Sequence, residues 1–504
     1  MFAYLKDPTA RKYSQLGEET GIGATAHLLR VCGKTIGADF GISISRNGEF
    51  QIQGLPAGNF LNGEDMDLIF ITHAHLDHIG AVARLIAEHS EAAVIISRKA
   101  LEALRVLLLD SIKIAKDEIR RACMADVAEE ELPKMIFDEG DLYYFLDRAK
   151  SGNGVLVVDE DGWYEFDSEW DGWSFGVFDS GHDIGAKSFL IIPPDRKPIY
   201  LTGDVASQNQ EIVKGVMLPD WQNSPDGFWD LPGLTMITEA TNGAKNEISW
   251  SEGKTRRVAK SVKALDDQFE KTLQAVKSRG GIVQIATFAK NRGSNMVLKV
   301  TRMGFRVAID GMLRKLIRIE LGEDRVNQLV AEGKLIIVDE TDPLKAQGQR
   351  EALAHGAYGF VVIVAPSATL DQGFAVLYAE KILPGEKNAL IFPGYMFPDS
   401  TAKQIIEIER GRTIKLDRFV RKEGGGSHKE PVLVNVRCDV LHFDYTSHDY
   451  QSGLVERVRL ARPEKLVVHH CSDEAFEAYV TALRLVIDYP LEIIRGSHLG
   501  DIDI

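Results

Sequence analysis

The segment "FITHAHLDHIGAV", residues 70 to 82, sets three histidines and an aspartate into six consecutive positions: His73, His75, Asp77 and His78. An apolar run ends there and an amphipathic one begins. Side chains two apart on an extended chain point the same way, so His73 and His75 can grip one cation from one side. Asp77 and His78 follow at the turn and can reach a second cation nearby. Imidazole and carboxylate donors without cysteine favour zinc, with manganese or iron next. Further donors stand where other strands are expected to end. These are His182 in "DSGHDIGAKSF", Asp204 in "IYLTGDVA" behind a glycine that lets the backbone turn, and His469 in "KLVVHHCSD". Together they make seven ligands for a two-cation centre.

Such a centre needs a scaffold, and the chain is long enough for one. Its 504 residues, 44% hydrophobic and 26% charged, predict two or three folded domains with a sizeable core. No apolar run approaches the roughly 18 to 20 residues that cross a bilayer, and "MFAYLKDPTARKY" lacks the apolar stretch of a signal peptide. A cytoplasmic protein with no membrane partner is the expectation. Cys32, Cys123, Cys438 and Cys471 show no framework spacing, which suits a reducing compartment, and the first three are expected to be small buried hydrophobes. The net charge of −15 disfavours a nucleic-acid partner if taken alone, but it hides an asymmetry. Residues 245 to 429 carry 31 Lys and Arg against 22 Asp and Glu, whereas the remainder carries 28 against 52. A basic middle in an acidic chain suggests a local polyanion-binding surface.

Short apolar runs bounded by turn residues, among them "DLIFITHAH", "AAVIISR", "SFLIIPP" and "PIYLTGDVA", read as strands, several buried on both faces. Residues 98 to 124 carry apolar positions at 3.6-residue spacing and read as an amphipathic helix. From about residue 245 helix and strand alternate: a helix at 257 to 278, "GIVQIAT", a helix from Asn295, "FRVAID", "KLIIVD", "GFVVIVA" and "NALIFPG". That rhythm predicts parallel βαβ units. After 430 the early texture returns, with a helix expected near 473 to 486. The reading is one domain interrupted by another: 1–244, an insert at 245–429, and 430–504. "EGGGSHKEP", 423 to 431, is expected to be a hairpin tip.

HxHxDH, then GH, GD and a late His resemble the metallo-β-lactamase superfamily, an αββα sandwich. "KTIGADFG" resembles its first motif, which implies Asp39 as a brace for the metal loop rather than a ligand. Stretches farther along resemble the β-CASP branch, nucleic-acid-processing members with an inserted α/β domain containing a parallel sheet. "MITEATNG" looks like motif A, giving Glu239. "GGIVQIATFAKNRGSN" is similar to the branch's arginine segment, giving Arg292. "VAPSATLDQGFA" and "LIFPGYMFPDSTAKQ" resemble its serine-rich and GYxxxGT segments. "YTSHDYQSG" resembles motif B, giving His448, and "VVHH" resembles motif C, giving His469. The chain departs from the pattern at Asn291 for Gly, at Ser294 and Asn295 for Gln-Glu, at His470 and Cys471 after motif C, and at Asp449 directly after His448. A histidine at motif C is associated with the RNA-processing members, such as the messenger RNA 3′-end endonuclease and ribonuclease J.

The resemblance implies a zinc-dependent ribonuclease, endo or 5′-exo, acting on RNA, single-stranded for preference. One ion would be held by His73, His75 and His182, and another by Asp77, His78 and His469, with Asp204 bridging. Two ions roughly 3.5 to 4 Å apart would give a bridging hydroxide for in-line attack, leaving 5′-phosphate and 3′-hydroxyl ends. Asp77 and Asp204 thus count among the catalytic groups. His448, on the inserted domain's side of the cleft and oriented by Glu239, is expected to protonate the leaving oxygen. Arg292, Ser447 and the run Arg410, Arg412, Lys415, Arg418 are candidate substrate contacts, that run being equally readable as a solvated hairpin. DNA as substrate, a small-molecule thioesterase or lactonase, and a non-catalytic subunit of an RNA-processing complex are the alternatives. Self-association is also left open.

Overall fold

The short apolar runs become strands, and their burial explains why. Leu68–Ile71 and Lys187–Ile192 are buried along their whole length, as strands covered on both faces must be. The computed structural model describes residues 9–15, 23–47, 50–55, 65–125, 127–128, 131–165, 168–219, 232–421, 427–496 and 502–504. The chain divides into two units. The first comprises 1–209, 213–246 and 447–504; the second comprises 210–212 and 247–446.

In the first unit two seven-stranded sheets pack together. One sheet runs in the order Ile502–Asp503, Arg11–Gln15, Ala26–Val31, Lys34–Phe40, Leu68–Ile71, Ala93–Ser97, Val155–Val158. The other runs Glu492–Arg495, Lys465–His469, Thr235–Glu239, Ile199–Leu201, Lys187–Ile192, Ser174–Asp179, Gly162–Tyr164. Alternate residues of both, such as Leu68, Phe70, Phe189, Leu201, Ile237 and Val467, share one core. The opposite parity of the second sheet, including Met236, Leu466 and Val468, packs against Leu454, Tyr479 and Leu483 of two helices. On the first sheet lies the helix Arg98–Met124, at the bounds its periodicity predicts and capped by Ser97, whose Oγ accepts from Ala100 N. The architecture is the expected αββα sandwich.

The second unit holds an eight-stranded sheet. Its order is Thr255–Val258, Ser249–Glu252, Asp439–Phe443, Ala389–Phe392, Val283–Ala286, Val361–Ala365, Arg306–Ile309, Leu335–Ile337. The last six strands pair in parallel, so the βαβ expectation holds. Boundaries differ. The insert extends to residue 446 rather than 429, because Asp439–Phe443 pairs with Ala389–Phe392. The helix expected from 257 begins at Val262, where Ser261 caps it, and Thr255–Val258 is a strand. The helix expected from Asn295 opens at Arg292.

Thr413–Arg421 and Ser427–Asn435 pair antiparallel with Arg421 opposite Ser427, a hairpin as expected. Its connecting residues 422–426 lie outside the described residues. All four cysteines are free, with Cys438 and Cys471 buried. Cys123 is exposed and Cys32 half-buried, against expectation. Cys123 falls on the solvent side of the last turn of its helix, where Ala122 takes the buried position. Among the described residues, no helix is long and apolar enough to cross a membrane.

Candidate metal and active site

Every group of the site belongs to the first unit, and most sit just past the end of a strand. Thr72 and His73 leave Leu68–Ile71, and a single helical turn, Leu76–Ile79, begins at His75, which is still extended. Gly41 admits this loop, since a Cβ there would lie 1.7 Å from the Asp77 carbonyl oxygen. Gly203, at φ +57°, turns the chain so that Asp204 enters the site, as the sequence suggests. Asp39 sits at an irregularity of register between strands and adopts φ +50°, a bulge that re-aims its side chain.

Asp39 braces the loop on three bonds. Its carboxylate accepts from Thr72 N at 2.8 Å, from Thr72 Oγ1 at 2.6 Å and from His78 Nδ1 at 2.8 Å. With Nδ1 donating outward, His78 Nε2 is the nitrogen that faces the site, buried and without a hydrogen bond. His73 Nδ1 lies 3.0 Å from the Thr72 hydroxyl oxygen, and His182 Nδ1 donates to the Ser447 carbonyl at 2.8 Å. Three imidazoles thus share one tautomer, fixed by an outer acceptor.

Their inner nitrogens converge. His73 Nε2 and His182 Nε2 approach His75 Nδ1 at 3.0 and 3.2 Å, close to the ~3.3 Å between two donors on one tetrahedral cation. Asp204 stands at the centre. Its Oδ2 is 3.6 Å from His73 Nε2, 3.4 Å from His78 Nε2 and 3.6 Å from His182 Nε2. Its Oδ1 is buried without a hydrogen bond and lies 3.7 Å from His470 Nδ1. Converging lone pairs and an unsatisfied buried carboxylate oxygen are what a bound cation would satisfy, so the donor set fits divalent metal. Three groups of such donors emerge: His73, His75, His182 and Asp204; Asp77, His78 and His470; and Asp204, Glu239 and His448.

The second group corrects the sequence reading at one place. His470, not His469, approaches Asp77, with Nε2 3.3 Å from Asp77 Oδ2. His469 ends the strand Lys465–His469 on the same parity as Val467, toward the core between the sheets. There its ring packs edge-on against His27 at 4.4 Å between centroids. His470 is the first residue off the strand, and φ +51° swings it into the site. The sequence signal that identifies it is parity counted from Val467. Asp183 is a second residue the sequence reading did not single out: its Oδ2 is 3.8 Å from His75 Nε2.

Electrostatics follow the geometry. Burial pushes the Asp204 carboxyl up, but the imidazoles of His470, His78 and His448 outweigh it and hold it well below the usual range. Burial, then repulsion from His78 and His75, lowers His73, and burial, then His448, takes His182 down to about 3. These rings are neutral donors. His448 goes the other way. Burial would depress it, yet the Glu239 and then the Asp204 carboxylates raise it to about 9.

His448 Nδ1 donates to Glu239 Oε1 at 2.8 Å, and its Nε2 lies 4.0 Å from Asp204 Oδ2. Glu239 also accepts from Val205 N at 3.2 Å and Thr241 N at 2.8 Å. Both of its carboxylate oxygens thus accept hydrogen bonds. The loop carrying Ser447 and His448 belongs to the first unit, not to the insert's side as expected. Asp449 secures it. One carboxylate oxygen accepts from Ser207 N at 2.7 Å and Ser207 Oγ at 2.5 Å, the other from buried Arg457 at 2.8 Å.

Ser447 contributes its carbonyl to His182. Arg292 lies in the second unit and opens the helix Arg292–Arg302. Asn291, standing where the family pattern has Gly, adopts φ +56°, a conformation asparagine tolerates. The basic run lies in the second unit, Arg410 and Arg412 just before the hairpin and Lys415 and Arg418 on its first strand, and its cations have acidic neighbours. Arg410 meets Asp439 at 3.2 Å, Arg412 Glu409 at 3.7 Å, Lys415 Asp417 at 3.5 Å, and Arg418 Glu430 at 2.8 Å.

Residues 23–171 match the family model described as the metallo-beta-lactamase superfamily. The chain carries a metallo-beta-lactamase domain. The match reaches the His73 to His78 loop and Asp39. Beyond it, the chain is 24% identical over 414 residues to a protein named Probable RNase MJ4 from Methanocaldococcus jannaschii, covering 81% of this chain and 82% of that one. It is 24% identical over 473 residues to Cleavage and polyadenylation specificity factor 73 of Drosophila melanogaster, covering 90% of this chain but 59% of that protein. This homology is consistent with the β-CASP branch. A crystal structure of a protein of unknown function from Enterococcus faecalis V583 shares the fold over 98% of the chain, with TM-score 0.55 and 12% identity.

Proposed function

We propose that the chain is a divalent-metal-dependent ribonuclease that hydrolyses RNA phosphodiesters and leaves 5′-phosphate and 3′-hydroxyl ends. The observation that carries this reading is the convergence of two donor groups on Asp204, with the His448–Glu239 pair beside them. Homology to proteins named as a ribonuclease and as a cleavage and polyadenylation factor supports RNA as the substrate class. His73, His75, His182 and Asp204 would hold one ion, and Asp77, His78 and His470 the other, zinc being the best match to imidazole and carboxylate donors. Cations so held would acidify a bound water and neutralise charge on the phosphate oxygens.

The chain's own groups do the rest. Asp39 and the Ser447 carbonyl keep His78 and His182 in the tautomer that presents Nε2. His448, held protonated by Glu239, would give its Nε2 proton to the departing 3′-oxygen as the phosphorus–oxygen bond breaks and the oxygen of water bonds to phosphorus. The test is incubation of the zinc-loaded protein with end-labelled single-stranded RNA and DNA of matched sequence. RNA products with 5′-phosphate and 3′-hydroxyl ends are expected. Cleavage of DNA alone, or products ending in 3′-phosphate, would overturn the reading.

A further inference from the structure

The parallel sheet of the second unit carries a surface that the metal chemistry does not use. Val283–Ala286 lies between Ala389–Phe392 and Val361–Ala365, and all three strands run the same way. From Val283–Ala286 the chain continues toward Arg306–Ile309 on one side, and from Ala389–Phe392 toward Asp439–Phe443 on the other. Neighbouring strands whose connections diverge leave a crevice at their carboxyl ends, where open α/β sheets take ligands. Here that crevice is a shallow surface depression lined by Thr287, Phe288, Ala368, Gly394 and Tyr395 among others.

Its rim is aromatic and uncovered. Phe288 is 40% exposed, Tyr395 57% and Phe397 47%. The three rings meet edge to face, Phe397 against Phe288 at 6.3 Å and against Tyr395 at 5.2 Å. Thr287 sits on the floor, 1% exposed, and its hydroxyl has no hydrogen-bond partner. A buried hydroxyl without a partner is costly.

Charge narrows the occupant. The second unit carries 31 Lys and Arg against 26 Asp and Glu, whereas the first carries 28 against 48. Arg292 Nε comes within 3.7 Å of where a Cβ on Gly394 would lie, and Lys403 is near enough to act on the Tyr395 hydroxyl. Asp399 is the carboxylate in the same loop. Exposed rings and flanking cations suit a nucleobase with its phosphate. Only an unpaired strand offers free base faces.

We propose that Phe288, Tyr395 and Phe397, set around Thr287, form a base-stacking subsite for single-stranded RNA in the second unit. The inference rests on the ribonuclease reading and adds a binding element to it. All three rings are exposed, so their truncation leaves the core intact.

Binding is measured by anisotropy of fluorescein-labelled oligo(A) and oligo(U) RNA on the metal-loaded full chain, in the slow-turnover His448→Ala background. Phe288→Ala with Phe397→Ala should weaken binding by about tenfold or more, as should Tyr395→Ala, while Tyr395→Phe keeps the ring and the affinity. Phe397→Trp should bind as tightly and show indole emission quenched by oligo(A). An abasic ribose-phosphate oligomer should bind weakly and be indifferent to all these changes. Unchanged RNA affinity in the alanine variants, or abasic binding equal to RNA, would overturn the subsite. A change in self-association without a change in RNA affinity would assign the patch to protein contacts and overturn it equally. Failure of the ribonuclease reading is seen separately, as wild-type protein that leaves labelled RNA uncut.

Discussion

Two regions of this chain are dense in ionisable residues, and the structure treats them oppositely. In the His73–His78 loop and its partners, inner nitrogens and carboxylate oxygens face one another, and His78 Nε2 and Asp204 Oδ1 are buried without hydrogen bonds. On the hairpin Thr413–Arg421 with Ser427–Asn435 and the turn just before it, Arg410, Arg412, Lys415 and Arg418 instead meet Asp439, Glu409, Asp417 and Glu430. Density of charge along a sequence does not make a site. Converging groups whose valence the protein itself leaves unfilled do.

The contrast is broken most severely at its centre. Asp204→Asn keeps the shape but removes the charge shared by both donor groups, so RNA hydrolysis should fall by about 10³ or more, with less metal bound by elemental analysis. Chelation should do the same to the wild type, reversibly. His448→Ala should lower turnover by roughly 10² to 10⁴ while the metal content stays that of the wild type. Loss of metal together with turnover would reassign His448 as a ligand. Asp39→Ala releases the His78 tautomer and should weaken metal affinity by about 10 to 100-fold in competition with a chelating dye.

Finer tests divide neighbours. His470→Ala should lose part of the bound metal. His469→Leu should keep all of it without lowering the melting temperature, since both nitrogens of the His469 ring are buried without partners. The opposite pattern would restore the ligand order first read from the sequence. The smallest effect belongs to the hairpin. Reversing Arg410, Arg412, Lys415 and Arg418 to Glu should barely change the salt dependence of RNA binding, because their charges are already balanced. Each lost phosphate contact would lower the slope by about 0.7, which makes a hidden role measurable.

Much of this molecule was legible in its residues. Period-two and period-3.6 patterns are local, so the sandwich strands, the helix Arg98–Met124 and the alternation in the insert follow from a few neighbouring side chains. The donor types also follow from residue chemistry: His73, His75, Asp77, His78, His182 and Asp204 all take part in the groups the fold assembles. Tertiary structure decided the rest. Two consecutive histidines are locally equivalent, and only the facing sheet and the left-handed turn at His470 send one toward Asp77 and the other against His27. Asp439–Phe443 looks like any strand until it pairs with Ala389–Phe392 and carries the boundary to residue 446. Asp449 gains its role from Ser207 and Arg457, the first of them 242 positions away. Sequence fixes which groups can do chemistry because that is a property of single side chains. Which of them meet, and which are neutralised first, depends on contacts between distant segments that no local pattern encodes.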